Sequence, residues 1–245
     1  MTRIAVVSAL HAELRALLPL VEDRRVDARG GRDFHRGRLE GHEVLLVLSG
    51  IGKVAAAATA ALALDAFNAQ ALLFTGVAGG LAEGVQVGDV VVGRELLQHD
   101  MDASPLFPRY EVPLTGRSRF AADAALCASL AAATDVVLAQ PHPALQRFGI
   151  EAVRRHDGLV VSGDRFVSTA AESAALRAAL PDALAVEMEG AAVAQVCADF
   201  GRPLAVLRTV SDRADDSAHV DFERFIADVA AEFSRDIVRA ALARL

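Results

Sequence analysis

The chain has 245 residues, a formal net charge of −7 and 53% apolar residues. That is enough apolar material for one large core, and an acidic balance without any basic block argues against a nucleic-acid partner. With no Trp and a single Tyr, Tyr110, platforms for stacking bases are scarce.

Lys53 is the only lysine, and the many arginines reflect composition rather than function. Cys127 and Cys197 sit in Ala-rich apolar stretches and read as free thiols in a reducing cytosol. No Cys/His cluster has zinc-site spacing, so neither metal nor cofactor is expected. The N-terminus runs straight into a strand without an h-region. The longest largely apolar run, residues 54–64, is too short to span a bilayer. A cytoplasmic protein with no membrane partner is expected.

In chain order, residues 4–7 read as a short buried strand, and 11–20 have helical spacing with Leu14, Leu17 and Leu18 on one face. Residues 34–40 and 43–49 are two strands joined at Gly41-His42, a hairpin signal. Gly50-Ile51-Gly52-Lys53 opens an Ala-rich helix to about Phe67. Residues 71–75 form a strand that ends in the glycine-rich turn Gly76-Val77-Ala78-Gly79-Gly80. Residues 88–93 are a strand, and 98–115, with Pro105, Pro108 and Pro113, a long loop. The spacing predicts a helix over 119–133, a strand over 159–162 and a helix over 170–180 capped near Thr169. A strand over 183–188, a helix over 190–200 and a strand over 203–210 follow. A long helix over 221–245 closes the chain, with Phe222, Phe225, Val229, Phe233 and Ile237 on one face. Alternating strands and helices with one early hairpin predict a single α/β domain, 1–245, with a central mixed β-sheet flanked by helices.

Carboxylates are the first candidates for chemistry. Glu187 and Glu189 follow one apolar run and Asp212 another. Strand ends of open α/β sheets are where ligands bind, and an acid there is costly unless paired, hydrated or used. Glu13 lies just after the first strand. Alternation puts Glu187 and Glu189 on one side with Met188 opposite, and a helix starting at Glu189 would favour an anion there. Each acid taken singly reads more readily as a helix cap than as a functional group. The two glycine-rich segments match neither a P-loop nor Gly-x-Gly-x-x-Gly. His99-Asp100 and His219 could be ligands or bases, although a lone His is more often structural. Around Ser162, Val160 and Asp164 fill the glycine positions of a nucleophile elbow, so Ser-His-Asp hydrolysis has no support.

Taken together and in order, these pieces resemble the nucleosidase branch of the nucleoside phosphorylase superfamily. The matching segments are Ile4-Ala5-Val6-Val7-Ser8-Ala9-Leu10-His11-Ala12-Glu13, Ser49-Gly50-Ile51-Gly52-Lys53-Val54-Ala55-Ala56 and Thr75-Gly76-Val77-Ala78-Gly79-Gly80-Leu81. Val87-Gly88-Asp89-Val90-Val91-Val92, His99-Asp100, Val161-Ser162-Gly163-Asp164-Arg165-Phe166, Val186-Glu187-Met188-Glu189 and Ser211-Asp212 continue the match. The resemblance implies hydrolysis of the N-glycosidic bond of adenine 5'-thionucleosides, such as 5'-methylthioadenosine and S-adenosylhomocysteine, with water as co-substrate. It implies Asp212, placed by Ser211, as the acid for adenine N7, which must hold or relay a proton although an ordinary Asp is ionised at pH 7. It implies Glu13 as the general base for water and Glu189 as the group that binds ribose hydroxyls and favours the developing cation. Met188 matches the ribose face, and Glu187 is grouped with it at the substrate. Phe166 and Val167 match the adenine pocket, with Phe222 beside them. Arg208 matches an arginine near the water, and Ile51 lines the alkylthio pocket. A homodimer is implied, in which the loop after His99-Asp100 closes the partner's 5' pocket.

Two departures stand out. The family often carries Ser where this chain has Val77, which removes a hydroxyl near the expected water. The loop reads Met101-Asp102-Ala103-Ser104-Pro105-Leu106-Phe107-Pro108-Arg109-Tyr110 instead of an Ala-Phe-Gly-Tyr-like run, with Phe107 and Tyr110 as candidates for the 5' pocket. Three alternatives stay open: a phosphate-dependent phosphorylase, a nucleosidase for another purine ribosyl compound such as a futalosine-type substrate, and a non-catalytic nucleoside-binding protein. A carboxylate at Glu13 would repel phosphate, and Val77 offers it no donor.

Overall fold

A computed structural model describes residues 3–215 and 225–245. Its frame is a ten-stranded mixed sheet with helices on both faces. The first strand, β1 (Arg3–Ser8), is apolar from Ile4 to Val7 and lies between β4 (His42–Leu48) and β5 (Ala71–Gly80), parallel to both. Strands buried on both faces read as continuous apolar runs, which is why β1, β4 and β5 are easily recognised. On the other side of β5 lies β10 (Leu204–Asp212), also parallel.

β10 pairs in addition with β6 (Val90–Gln98), which pairs with β8 (Arg155–Ser162), and β8 with β9 (Ala183–Glu187). The last two residues of β5, Gly79 and Gly80, then pair with Val186 and Ala185 of β9. Strands β5, β10, β6, β8 and β9 thus close upon themselves, and β5 takes part in both the closed half and the flat half. The glycine-rich segment expected as a turn is therefore strand, continuing β5 to Gly80. Its glycines answer to close approach: a Cβ at Gly79 would stand 2.8 Å from Asp212 Oδ1.

Helix α1 (His11–Leu17) packs between the sheet and the C-terminal helix α7 (Ala231–Leu242). Leu14 and Leu17 join Phe225, Val229, Phe233 and Ile237 in the core on that face. Helices α2 (Lys53–Asp65) and α6 (Gly190–Asp199) cover the opposite face. Helix α3 (Ala124–Leu138) lies with α7, the short α4 (Pro143–Arg147) follows it, and α5 (Ala170–Ala179) starts at a Thr169 cap that accepts from Glu172 N–H.

Several expectations need correction. Strand β2 (Glu22–Arg29), joined to β3 (Arg32–Leu39) through Gly30 and Gly31, has no sequence counterpart above. Both glycines have positive φ, as a two-residue hairpin turn requires. The helix expected from residue 119 begins five residues later, because Arg119–Ala121 is β7, paired with β6, and Asp123 caps α3 by accepting from Leu126 N–H. The first helix tightens into a 3-10 turn at Leu18–Leu20, where Pro19 stands. Within the described residues the C-terminal helix carries a π-helical turn, Ile226–Ala230, ahead of α7; its expected beginning, with Phe222, lies outside them. No helix among the described residues is long and apolar enough to cross a membrane.

Candidate active site

The carboxyl ends of β1, β5, β8, β9 and β10 converge on one cavity of about 290 Å³. That is close to the lower end of small-molecule sites, roughly 300–1,000 Å³. Asp212 reaches it because β10 carries a bulge between Val210 and Asp212. A bulge adds one residue and re-aims those that follow. Ser211 Oγ donates to Asp212 Oδ2 at 2.8 Å, and Ala214 N–H donates to Oδ1 at 2.8 Å. Ala78 O also lies 3.4 Å from Ser211 Oγ. The hydroxyl proton can therefore turn to Ala78 when Asp212 Oδ2 carries a proton of its own.

Glu187 and Glu189 both border the cavity, yet they do different work. Glu187 is the cap of α6: its oxygens accept from Gly190 N–H at 2.8 and 2.9 Å and from Glu189 N–H at 3.2 Å. Ser162 Oγ donates to it as well and accepts from Ala191 N–H at 2.7 Å. Arg208 completes the set, with Nη2 2.6 Å and Nε 3.2 Å from Glu187 Oε2. The guanidinium is 1% exposed and lies over the Phe74 ring at 4.2 Å. The anion expected at the start of this helix is therefore Glu187.

Glu189 turns instead toward the start of α2, where Oε1 accepts from Gly52 N–H at 2.8 Å. Burial first, and the charge of Glu187 second, raise its pKa to about 7. Beside it, Lys53 N–H donates to Asp164 at 2.7 Å, and Lys53 Nζ to Asp100 at 2.7 Å. Asp100 in turn accepts from Asp164 N–H at 2.9 Å. These bonds tie the start of α2, which holds Glu189, to the loop that carries Phe166 and Val167.

Ile51, Val77, Met188, Phe166, Val167, Ser211 and Arg208 all border the cavity as well. Ile51 is largely exposed at its rim. Glu13 is the exception. It is 1% exposed and lies outside the cavity wall. It is nonetheless adjacent, because Ser8 Oγ donates to Glu13 Oε2 at 2.5 Å and accepts from the N–H of Leu10, which borders the cavity. Burial raises the Glu13 pKa, opposed by Ser8, Arg208 and Ser234. Phe107 and Tyr110 do not border the cavity. Phe222 and His219 lie outside the described residues. His99 packs its ring on Gly163, burial lowers its pKa, and its buried Nε2 has no hydrogen-bond partner among the described residues. No group of three or more His, Cys, Asp or Glu that could hold a metal occurs among the described residues.

Ser8, Ser162 and Ser234 hold the site's carboxylates without being singled out in the sequence. Ser8 and Ser162 lie inside matched motifs, where nothing in their spacing separates them from ordinary strand residues. Ser234 had a signal: it is the polar position in the otherwise apolar set Ala230, Phe233, Ile237, Val238 and Ala241 on the buried face of the last helix.

A sequence profile of the phosphorylase superfamily matches residues 3–243. The chain belongs to that superfamily. It is similar in structure to the 5'-methylthioadenosine/S-adenosylhomocysteine nucleosidase of Neisseria meningitidis in complex with methylthio-immucillin-A, with 36% identity over 100% of both chains and a TM-score of 0.87. The enzyme of S. pneumoniae with a transition-state inhibitor is 32% identical over 99% of each chain, at a TM-score of 0.86. The Helicobacter pylori nucleosidase is 31% identical over 100% of this chain and 99% of that one, at 0.85.

Proposed function

We propose that this chain is an N-glycosyl hydrolase that cleaves adenine from 5'-thionucleosides, with 5'-methylthioadenosine and S-adenosylhomocysteine as substrates. The observation that carries the reading is the meeting of Asp212, Glu189, Phe166 and Val167 around one cavity in a chain similar end to end to such nucleosidases. Adenine packs against Phe166 and Val167, and Asp212 delivers a proton to N7, which turns adenine into a good leaving group. As the bond breaks, the ribose gains oxocarbenium character. Glu189 binds the ribose hydroxyls, and its charge favours that cation. Glu13 takes the proton from the attacking water, which enters on the side of Arg208 and Val77. Arg208 and Glu187 form the floor; Met188 packs on the ribose and Ile51 on the alkylthio group.

The reading extends to a single domain, 1–245, working as a cytoplasmic homodimer. Exposed Ile51 and Val54 at the start of α2, and exposed Leu106 and Leu114 in the long loop, support an apolar partner surface. The buried free thiols of Cys127 and Cys197 suit a reducing compartment. The test is adenine release from 5'-methylthioadenosine, S-adenosylhomocysteine and a futalosine-type nucleoside in parallel. Turnover of the two thionucleosides is expected; release from the futalosine-type compound alone would overturn the substrate assignment.

A further inference from the structure

Glu13 stands in a nest of buried hydroxyls that the reaction scheme leaves unused. Ser8 and Thr75 are register neighbours on β1 and β5, so their side chains share a face of the sheet. Val77 and Thr209 are paired one step further along the same face. Helix α1 brings Glu13 down onto this face, and α7 brings Ser234. All of Ser8, Thr75, Thr209 and Ser234 are 1% exposed or less. Ser8 donates to one carboxylate oxygen of Glu13 at 2.5 Å, and Ser234 to the other at 3.4 Å. Thr209 Oγ1 stands 3.4 Å behind Ser234 Oγ, and Thr75 Oγ1 has no hydrogen-bond partner among the described residues. Val77, the residue of this face that borders the cavity, has no hydroxyl to offer.

Resting on the base assignment made above, we propose that Ser8 and Ser234 are positioning residues that grip the two oxygens of Glu13, from the first strand and from the last helix, and aim it at the water. The hydroxyl of Ser8 accepts from Leu10 N–H, and its own proton has two acceptors in reach, Glu13 Oε2 at 2.5 Å and Leu10 O at 3.3 Å, of which the nearer, charged one is the stronger. Donors to the charged form oppose the burial that would neutralise a carboxylate here. Among the described residues the charged group acting on Glu13 is Arg208 of β10; β1 and α7 contribute the serines, and β5 and β10 the threonines. Arg208 is held by Glu187. The serines are thus the partners devoted to the base, and α7 acts in catalysis as well as covering the core.

The test is the pH profile of kcat/KM with 5'-methylthioadenosine for Ser8→Ala, Ser234→Ala, Ser8→Thr, Ser234→Cys and Glu13→Gln. Each alanine variant is expected to move the acid limb to higher pH, lowering kcat about tenfold on the acid side with KM changed less than about twofold. Ser8→Thr restores the limb. Ser234→Cys keeps the volume, weakens the donor and moves the limb even if Ser234→Ala does not fold. A wild-type acid limb in folded Ser8→Ala and Ser234→Cys, with Glu13→Gln inactive, overturns the grip alone. Full activity in Glu13→Gln overturns the base assignment itself.

Discussion

At the scale of single residues the cavity separates acids that look alike in sequence. Asp212 accepts from Ser211 and Ala214, Glu189 from Gly52, and Glu187 from Arg208 and the start of α6. Replacing Asp212 by Asn keeps its shape and removes the proton that the proposed mechanism has it deliver. We expect kcat to fall by roughly 10²–10⁴-fold with an unchanged circular-dichroism spectrum. Glu189 carries a sign that can be worked out. Its pKa, raised to about 7 in the native state, exceeds its ordinary value of 4.5. Native protein therefore binds more protons than unfolded protein in that window. The stability this provides is complete below about 4.5 and is lost as pH rises through about 7. Glu189→Gln should accordingly be more stable than wild type at pH 8 by about 1–3 kcal/mol in urea unfolding, with the difference gone near pH 4. Catalysis runs the other way, because in the proposed mechanism Glu189 favours the cation only when it is ionised.

At the scale of elements, the site is made by strand ends that bend, bulge and cap. The start of α6 rests on Glu187, and the Glu187–Arg208 pair is buried on both sides. Glu187→Gln would leave Arg208 buried without its counter-charge, and such losses cost about 3–5 kcal/mol. A denaturant midpoint unchanged from wild type would contradict that role. Gly79→Ala tests the other side of the cavity. The added Cβ would stand 2.8 Å from Asp212 Oδ1, so the acid must shift and kcat should drop about 100-fold while KM changes little. What could be read ahead follows the same logic. Strands with a continuous apolar run, such as β1, β4 and β10, announce themselves, and so do the carboxylates after β1 and β10. Strand β2 does not, because seven of its eight residues are exposed and no apolar alternation marks it. The continuation of β5 through Gly80 was hidden for the opposite reason. Its glycines look like a turn until Asp212 and Val186 are seen pressed against them.

At the scale of the whole molecule, the first strand, the middle of the sheet and the last helix must come together before any chemistry is possible. Glu13 and Ser234 are 221 residues apart in sequence and share a hydrogen bond. No local pattern reports such a contact: Ser234 shows in sequence only as a polar position on an apolar helix face, while Glu13 lies inside a recognisable segment. Sedimentation should give the mass of two chains, and replacing Val54 with Asp should shift it to one chain and weaken activity if the partner completes the site. The central claim is that water, and not phosphate, receives the ribosyl group. The direct measurement is adenine release from 5'-methylthioadenosine in phosphate-free buffer and again with saturating phosphate, with the sugar product analysed in both. Equal rates and free 5-methylthioribose in both buffers are the expected result. Adenine release that requires phosphate and yields a ribose 1-phosphate would contradict it.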